Sequence, residues 1–249
     1  VIEDWHFYAL AIPAVTLIGF AKGGFTGMGA LSLPMLAFVI SPVTAAAILL
    51  PLLIVQDVVG VWAFRRTVDW ALLAWMLPGA VAGVALGYGF AASVTPEGVM
   101  AAVGAISILF GAYRLRLRHR PIPRETALLP EWVGGLFGAA SGFTSQIAHA
   151  GQPPFQLWVL PRNLPRDTLV GTTAIFFAAV NWIKVPAYLA LGQFTRTNLL
   201  TAAALLPVAI ASTFLGVALV RRVEADRFYV AIYWLMVLVG AGLIAEALF

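Results

Sequence analysis

Charge and cysteine are what this sequence has least of. Of its 249 residues only 10% are charged and none is cysteine. Soluble domains carry roughly 25% charged residues. With 61% of its residues hydrophobic and a mean hydropathy of +0.94, this chain has too few polar groups to keep a surface wet, so it reads as an integral membrane protein. The missing cysteine excludes disulfides, thiolate metal sites and cysteine nucleophiles. His6, His119 and His149 are too scattered to suggest a metal site. Strand-like alternation is absent as well, which leaves helices rather than a barrel as the spanning elements. The pI near 9.8 reflects arginines between apolar segments rather than a nucleic-acid surface. No positively charged region precedes the first apolar run, so no cleavable signal is expected.

What is present is apolar sequence in ten pieces, several of them long enough for the roughly 20 residues a spanning helix needs. They fall near 7–21, 31–40, 43–64, 70–92 and 97–113, then 127–148, 154–160, 168–191, 198–220 and 228–249, with RLRLRHRPIPR at 114–124 between the sets. Gly19-Phe20 matches Gly142-Phe143 and Pro42 matches Pro165, at an offset of 123. Pro78 matches Pro207, Leu86-Gly87 matches Leu215-Gly216, Val94 matches Val223, and Gly111-Ala112 matches Gly240-Ala241, at 129. One six-residue insertion near Gly192–Asn198 accounts for the change. The chain therefore reads as two homologous halves, 1–113 and 125–249, in one integrated membrane domain, joined by the basic linker 114–124.

Orientation follows from the positive-inside rule. With the linker and its five arginines in the cytoplasm, Arg65-Arg66 is cytoplasmic and Ser41-Pro42 external. If 127–160 enters and returns as a broken hairpin, Arg162, Arg166, Arg221, Arg222 and Arg227 are cytoplasmic too. Of 15 basic residues only Lys184 and Arg196 then lie toward the outside. A single crossing by 127–160 would put those five arginines outside, so the charge favours the hairpin. Five elements per half is an odd number, which opposes the two halves and places both termini outside. The expected fold is an all-α polytopic membrane protein of two inverted-topology repeats, each holding a broken or re-entrant hairpin. Secondary transporters are built this way, with substrate bound near the midplane where the breaks meet.

The first break reads GFAKGGFTGMGALSLP, 19–34. Gly23, Gly24, Gly27 and Gly29 open the backbone to close approach, and their N–H groups with Lys22 suit an anion. Tight helix packing would use such glycines as well, and Lys22 has the alternative of snorkelling to the cytoplasmic surface. The second break reads GFTSQIAHAGQPPFQLW, 142–158. Pro153-Pro154 cannot continue a helix, so the turn is expected there. Ser145 and His149, four apart, share a helical face, as do Gln152 and Gln156 if the Pro-Pro turn allows. These residues suit binding or a proton relay, with structural hydrogen bonding as the competing role. The long apolar segments add Gln56-Asp57 in the first half and Thr172-Thr173, Asn181 and Lys184 in the second; Asp57 aligns with Asn181 to within one residue. A carboxylate this deep is protonated or paired, so Asp57 suits proton coupling or partners Lys22 or Lys184. The prolines at 51, 78, 186 and 207 are expected to kink helices.

The chain resembles the TauE/SafE family of sulfite and organosulfonate exporters. The resemblance is carried by GFAKGGFTGMGALSLPML at 19–36 and GFTSQIAHAGQPPFQLWVLP at 142–161, with support from GTTAIFFAAVNWIKVPAYLALG at 171–192. It covers essentially the whole chain and implies a carrier of small sulfur oxyanions in the bacterial cytoplasmic (inner) membrane. The second half lacks the multi-glycine run of the first. On this reading the anion is bound by Lys22 and the backbone at Gly23, Gly24, Gly27 and Gly29, opposite Ser145, Gln146, His149, Gly151, Gln152 and Gln156. Thr172, Thr173 and Asn181 add hydrogen bonds, and Asp57, His149 and Lys184 serve charge pairing or proton coupling. The expected partners are a small anion and membrane lipid, with a homodimer as the candidate oligomer and no cofactor, metal or nucleic acid. No nucleotide-binding loop is present, so any energy comes from a gradient or from the substrate itself. A channel, an uptake carrier for thiosulfate, sulfate or a carboxylate, and an intramembrane hydrolase using Ser141, Ser145 and His149 are the competing readings.

Overall fold

The computed structural model describes residues 2–25, 27–117, 129–219 and 226–248. The basic linker beyond Leu117, and Arg221, Arg222 and Val223, fall outside the described residues. Ten helices follow in order: α1 Trp5–Lys22, α2 Ser32–Ala37, α3 Pro42–Phe64, α4 Trp70–Ser93, α5 Pro96–Leu117, α6 Val133–Ala148, α7 Gln152–Val159, α8 Arg166–Ala190, α9 Arg196–Leu219 and α10 Asp226–Leu248. A 3-10 turn, Met28–Leu31, leads into α2 and another, Leu160–Arg162, follows α7. Seven of the helices have the length and apolar composition to cross a bilayer. The chain is an all-helical, multi-pass membrane protein.

Local chemistry starts these helices where the sequence suggests. Ser41 Oγ accepts from Thr44 N at 3.2 Å with Pro42 opening α3, and Asp69 Oδ1 accepts from Leu72 N at 3.0 Å at the head of α4. Each side chain satisfies an N–H left bare at a helix start. Pro51, Pro78, Pro186 and Pro207 all lie inside helices.

α2 and α7 are return arms. Ser32 Oγ, at the start of α2, donates to Ala14 O on α1 at 2.7 Å. At the second break Phe137 of α6 stacks on Trp158 of α7 at 5.6 Å, and Arg162 Nη1 reaches Glu131 at 2.9 Å, so the chain comes back to the level at which α6 began. The turn itself differs from expectation. It falls at His149, whose φ is 50°, and Ser141 Oγ ties it down by donating to Gly151 O at 2.6 Å. Pro153 and Pro154 do not make the turn; they lie in the first turn of α7. Proline is tolerated there because the first N–H groups of a helix lack intrahelical acceptors anyway. His149 has therefore left the helical face it was expected to share with Ser145.

Packing crosses between the halves. α4 lies on α6, α1 on α9, and α5 on α10. Between α4 and α6 the backbones all but touch: a methyl on Gly79 or Gly83 would overlap the carbonyls of Gly135 or Ala139, and one on Gly138 or Gly142 those of Met76 or Ala80. Small residues permit such approach where lipid offers no hydrophobic drive. The offsets recur in space. Gly87 meets Phe143 and Gln146, while Gly216 meets Phe20 and Gly23; Gly111 meets Tyr233 and Val237, while Gly240 meets Gly104 and Ile108. The ends pair as well: Thr67 Oγ1 donates to Asp167 O at 3.0 Å, and Ile2 N donates to Thr201 Oγ1 at 3.1 Å. The α3–α4 and α7–α8 connections thus share one end of the molecule, and the N-terminus shares the other with the start of α9.

Candidate functional site

The two breaks and the long helices α3 and α8 converge on a buried charged cluster. Lys22, the last residue of α1, sends Nζ onto Asp57 Oδ1 of α3. The other oxygen, Oδ2, accepts from Asn181 Nδ2 of α8 at 2.6 Å. Lys22 is only 13% exposed and Asp57 3%, so Lys22 is held inward rather than snorkelling. Lys184, one turn beyond Asn181 and fully buried, donates to Ser145 Oγ at 3.2 Å, Ser145 O at 3.3 Å and His149 Nδ1 at 2.7 Å. His149 Nε2 lies 3.0 Å from Ala46 O. A carbonyl can only accept, so Nε2 carries the proton and Nδ1 is free to accept from Lys184.

A cavity of about 50 Å³ lies against this cluster, lined by Lys22, Gly29, Ser145, His149, Gln152 and Asn181, with Phe177 and apolar side chains completing the wall. A single water needs roughly 10–15 Å³ on the same measure, so the space suits a small oxyanion. A second cavity of about 20 Å³ is lined by Asp57, Gly60 and Thr173 and shares Lys22, Gln152 and Phe177 with the first. With Ala21, which also borders both, these three side chains lie between the two spaces. Lys22 Nζ lies 5.8 Å from the centre of the Phe177 ring.

The remaining expected residues divide. Gly24 and Gly27 adopt φ of 122° and 101°, which a side chain would resist. Gly27 lies near Gln152, whereas Gly23 is packed against Gly216 of α9. Gly151 is spent on the α6–α7 turn. Thr172 is not at the cavity: its Oγ1 accepts from Asp69 N at 2.9 Å and pins the α3–α4 connection to α8. Thr173 donates to Leu169 O at 2.6 Å while lining the smaller space. Gln146 and Gln156 are buried, each with a partnerless Oε1, and line neither cavity. Ser32 and Phe177, which line the main cavity, carry no signal that sequence alone separates from ordinary packing. Among the described residues no group of three His, Asp or Glu side chains could hold a metal ion.

Comparison with known proteins gives the family. The family model described as Sulfite exporter TauE/SafE matches residues 11–243, nearly the whole chain and both halves of the site. No curated protein and no solved structure matches the chain.

Proposed function

The chain belongs to the sulfite exporter TauE/SafE family of membrane transporters, and we propose that it is a secondary carrier exporting a small sulfur oxyanion, sulfite or an organosulfonate, by alternating access. The observation that carries this reading is the buried cluster around the cavity: two lysines, one carboxylate, and donors from both breaks within reach of one small space. Uncompensated charge inside a membrane is costly and marks function by default. An anion in the cavity would offset it. His149 and Lys184, already hydrogen-bonded, are the groups placed to pass a proton.

The inverted-repeat reading supplies the motion. Paired glycine contacts, the crossed packing of α1 on α9 and α4 on α6, and the shared ends of the molecule all fit halves of opposite orientation. The end carrying Arg65, Arg66, Arg162 and Arg166 is then cytoplasmic and both termini are external, in the bacterial inner membrane. Each break moves against the long helices of the other half, opening the cavity to one side at a time. Two small cavities separated by side chains support a carrier over an open channel.

The test is sulfite flux in proteoliposomes. The wild-type protein should show saturable flux with counterflow, and His149→Ala and Lys184→Met should each lose it while remaining monodisperse in detergent. Undiminished flux in both variants would sink the site assignment, and flux without counterflow would replace the carrier with a channel.

A further inference from the structure

We infer that the cavity selects a singly charged anion bearing its own hydrogen-bond donor, and that Gln152 is the residue that reads the donor. This deepens the transport reading and rests on it.

The charge argument counts the ionisable groups that line the cavity and those bonded directly to them. Lys22 of α1 and His149 of the α6–α7 turn line it; Asp57 of α3 holds Lys22, Lys184 of α8 holds His149, and Tyr188 of α8 stands behind His149, ring centres 6.3 Å apart. Lys22 and Asp57 cancel. The three acceptors around Lys184 match the three protons of an ammonium. His149, donating through Nε2 to Ala46 O and accepting at Nδ1, is neutral. The cluster therefore holds one positive charge beyond balance. A monoanion brings it to zero. A dianion would leave a net negative charge in a space walled by Ile18, Leu33, Leu49, Leu53 and Phe177, where charge without a partner is penalised.

The donor argument comes from one atom. Gln152 Oε1 is buried and has no hydrogen-bond partner among the described residues. It belongs to a side chain lining both cavities, and a methyl at Gly27 would lie 3.9 Å from it. An unpaired buried acceptor costs more than an ordinary hydrogen bond returns. Sulfate and methanesulfonate carry only acceptors on their anionic head and cannot satisfy it. The hydroxyl of hydrogensulfite or hydroxymethanesulfonate can, with the oxyanion left for the cationic side.

Titration calorimetry of the wild-type protein in detergent at one fixed neutral pH separates these terms without titrating the site. Hydroxymethanesulfonate should bind about tenfold more tightly than methanesulfonate, the worth of one hydrogen bond to an otherwise unpaired buried acceptor. Sulfate should bind about tenfold or more weakly than methanesulfonate. Gln152→Met keeps the length of the side chain and removes the acceptor, and should bring the two sulfonates to about equal affinity. Sulfate binding as tightly as methanesulfonate overturns the charge argument, and equal sulfonate affinities in the wild type overturn the donor argument with no variant needed. Wild-type protein that binds none of the three anions overturns the transport reading itself. Binding of all three at equal strength, abolished by Lys184→Met, overturns only this inference.

Discussion

Asp57 and Lys22 make the site's sharpest stability prediction, because their two single substitutions should not cost the same. Breaking a buried ion pair by removing one partner costs about 3–5 kcal/mol, since the survivor is left uncompensated. In Lys22→Met the surviving carboxylate keeps its 2.6 Å bond from Asn181 and has the option of taking up a proton, so the loss should fall at or below the low end. In Asp57→Asn the surviving ammonium keeps at most the neutral amide oxygen and the Phe177 ring, 5.8 Å away, a contact worth about 0.5–2 kcal/mol, and neither cancels its charge. That loss should approach the full figure. At about 2–4 °C per kcal/mol for a chain of this size, Asp57→Asn should melt about 6–20 °C lower, and Lys22→Met less. The double variant leaves no unpaired charge and should melt above Asp57→Asn alone. Tryptophan-fluorescence melting in detergent reads all three. A double variant that loses the sum of the two singles would refute the coupling and with it the idea that Asp57 is there to hold Lys22. Asp57→Asn also raises the cluster to two unbalanced positive charges, so sulfate should stabilise that variant more than the wild type.

Other consequences are open to simpler assays. Gly83→Ala should lower stability by about 1–3 kcal/mol through overpacking against Ala139 and Phe143, whereas Gly89→Ala, with nothing within 4 Å, should be neutral or better; equal effects would argue against close α4–α6 contact. Since the chain has no cysteine, single-cysteine variants report sidedness directly. Ser41→Cys and Thr197→Cys should react with an impermeant maleimide from one face of the membrane, and Arg66→Cys and Asp167→Cys from the other. Labelling of Ser41→Cys and Thr197→Cys from opposite faces would end the inverted-repeat reading. Phe177→Ala should merge the two cavities and let sulfite leak without counterflow; tight coupling in that variant would show that Phe177 is no barrier.

Much of this was written in the order of residues. The ten apolar segments became ten helices to within a few residues, because long apolar runs between prolines and arginines leave little else to form in a membrane. The alignment of Asp57 with Asn181 became a hydrogen bond between them. The turn at His149 was not legible. Pro-Pro reads as a stop when approached from its N-terminal side, yet it is equally a start for the helix that follows, and only the tertiary tie from Ser141 to Gly151 decides. Thr172 was misplaced for a related reason: a threonine one residue from another on a helix points elsewhere, here to Asp69 N. The partners of Lys184 were open too, because a lysine can reach several turns and the acceptors come from another element.

The two halves agree in their packing and disagree in their charges, and the disagreement explains the site. Glycine contacts repeat between halves because each glycine lies against backbone or side-chain atoms of a facing helix, where an added methyl has no room. The residue 123 beyond Lys22 is Ser145, and the residue one place past that offset from Gly60 is Lys184. In the first half Gly60 packs near Lys22 O, at 3.1 Å from its added methyl. In the second, Lys184 donates to Ser145 O. The cation has thus changed element between halves, from the hairpin arm to the long helix, while its neighbourhood is kept. Two lysines on equivalent hairpin arms would require two carboxylates on α3 and α8 to balance them, leaving nothing for an anion. With one lysine on each kind of element and a single Asp57, one ammonium is paired within its own half and the other is held by neutral acceptors. The unpaired charge then lies where Lys184 and His149 meet Ala46 of the first half.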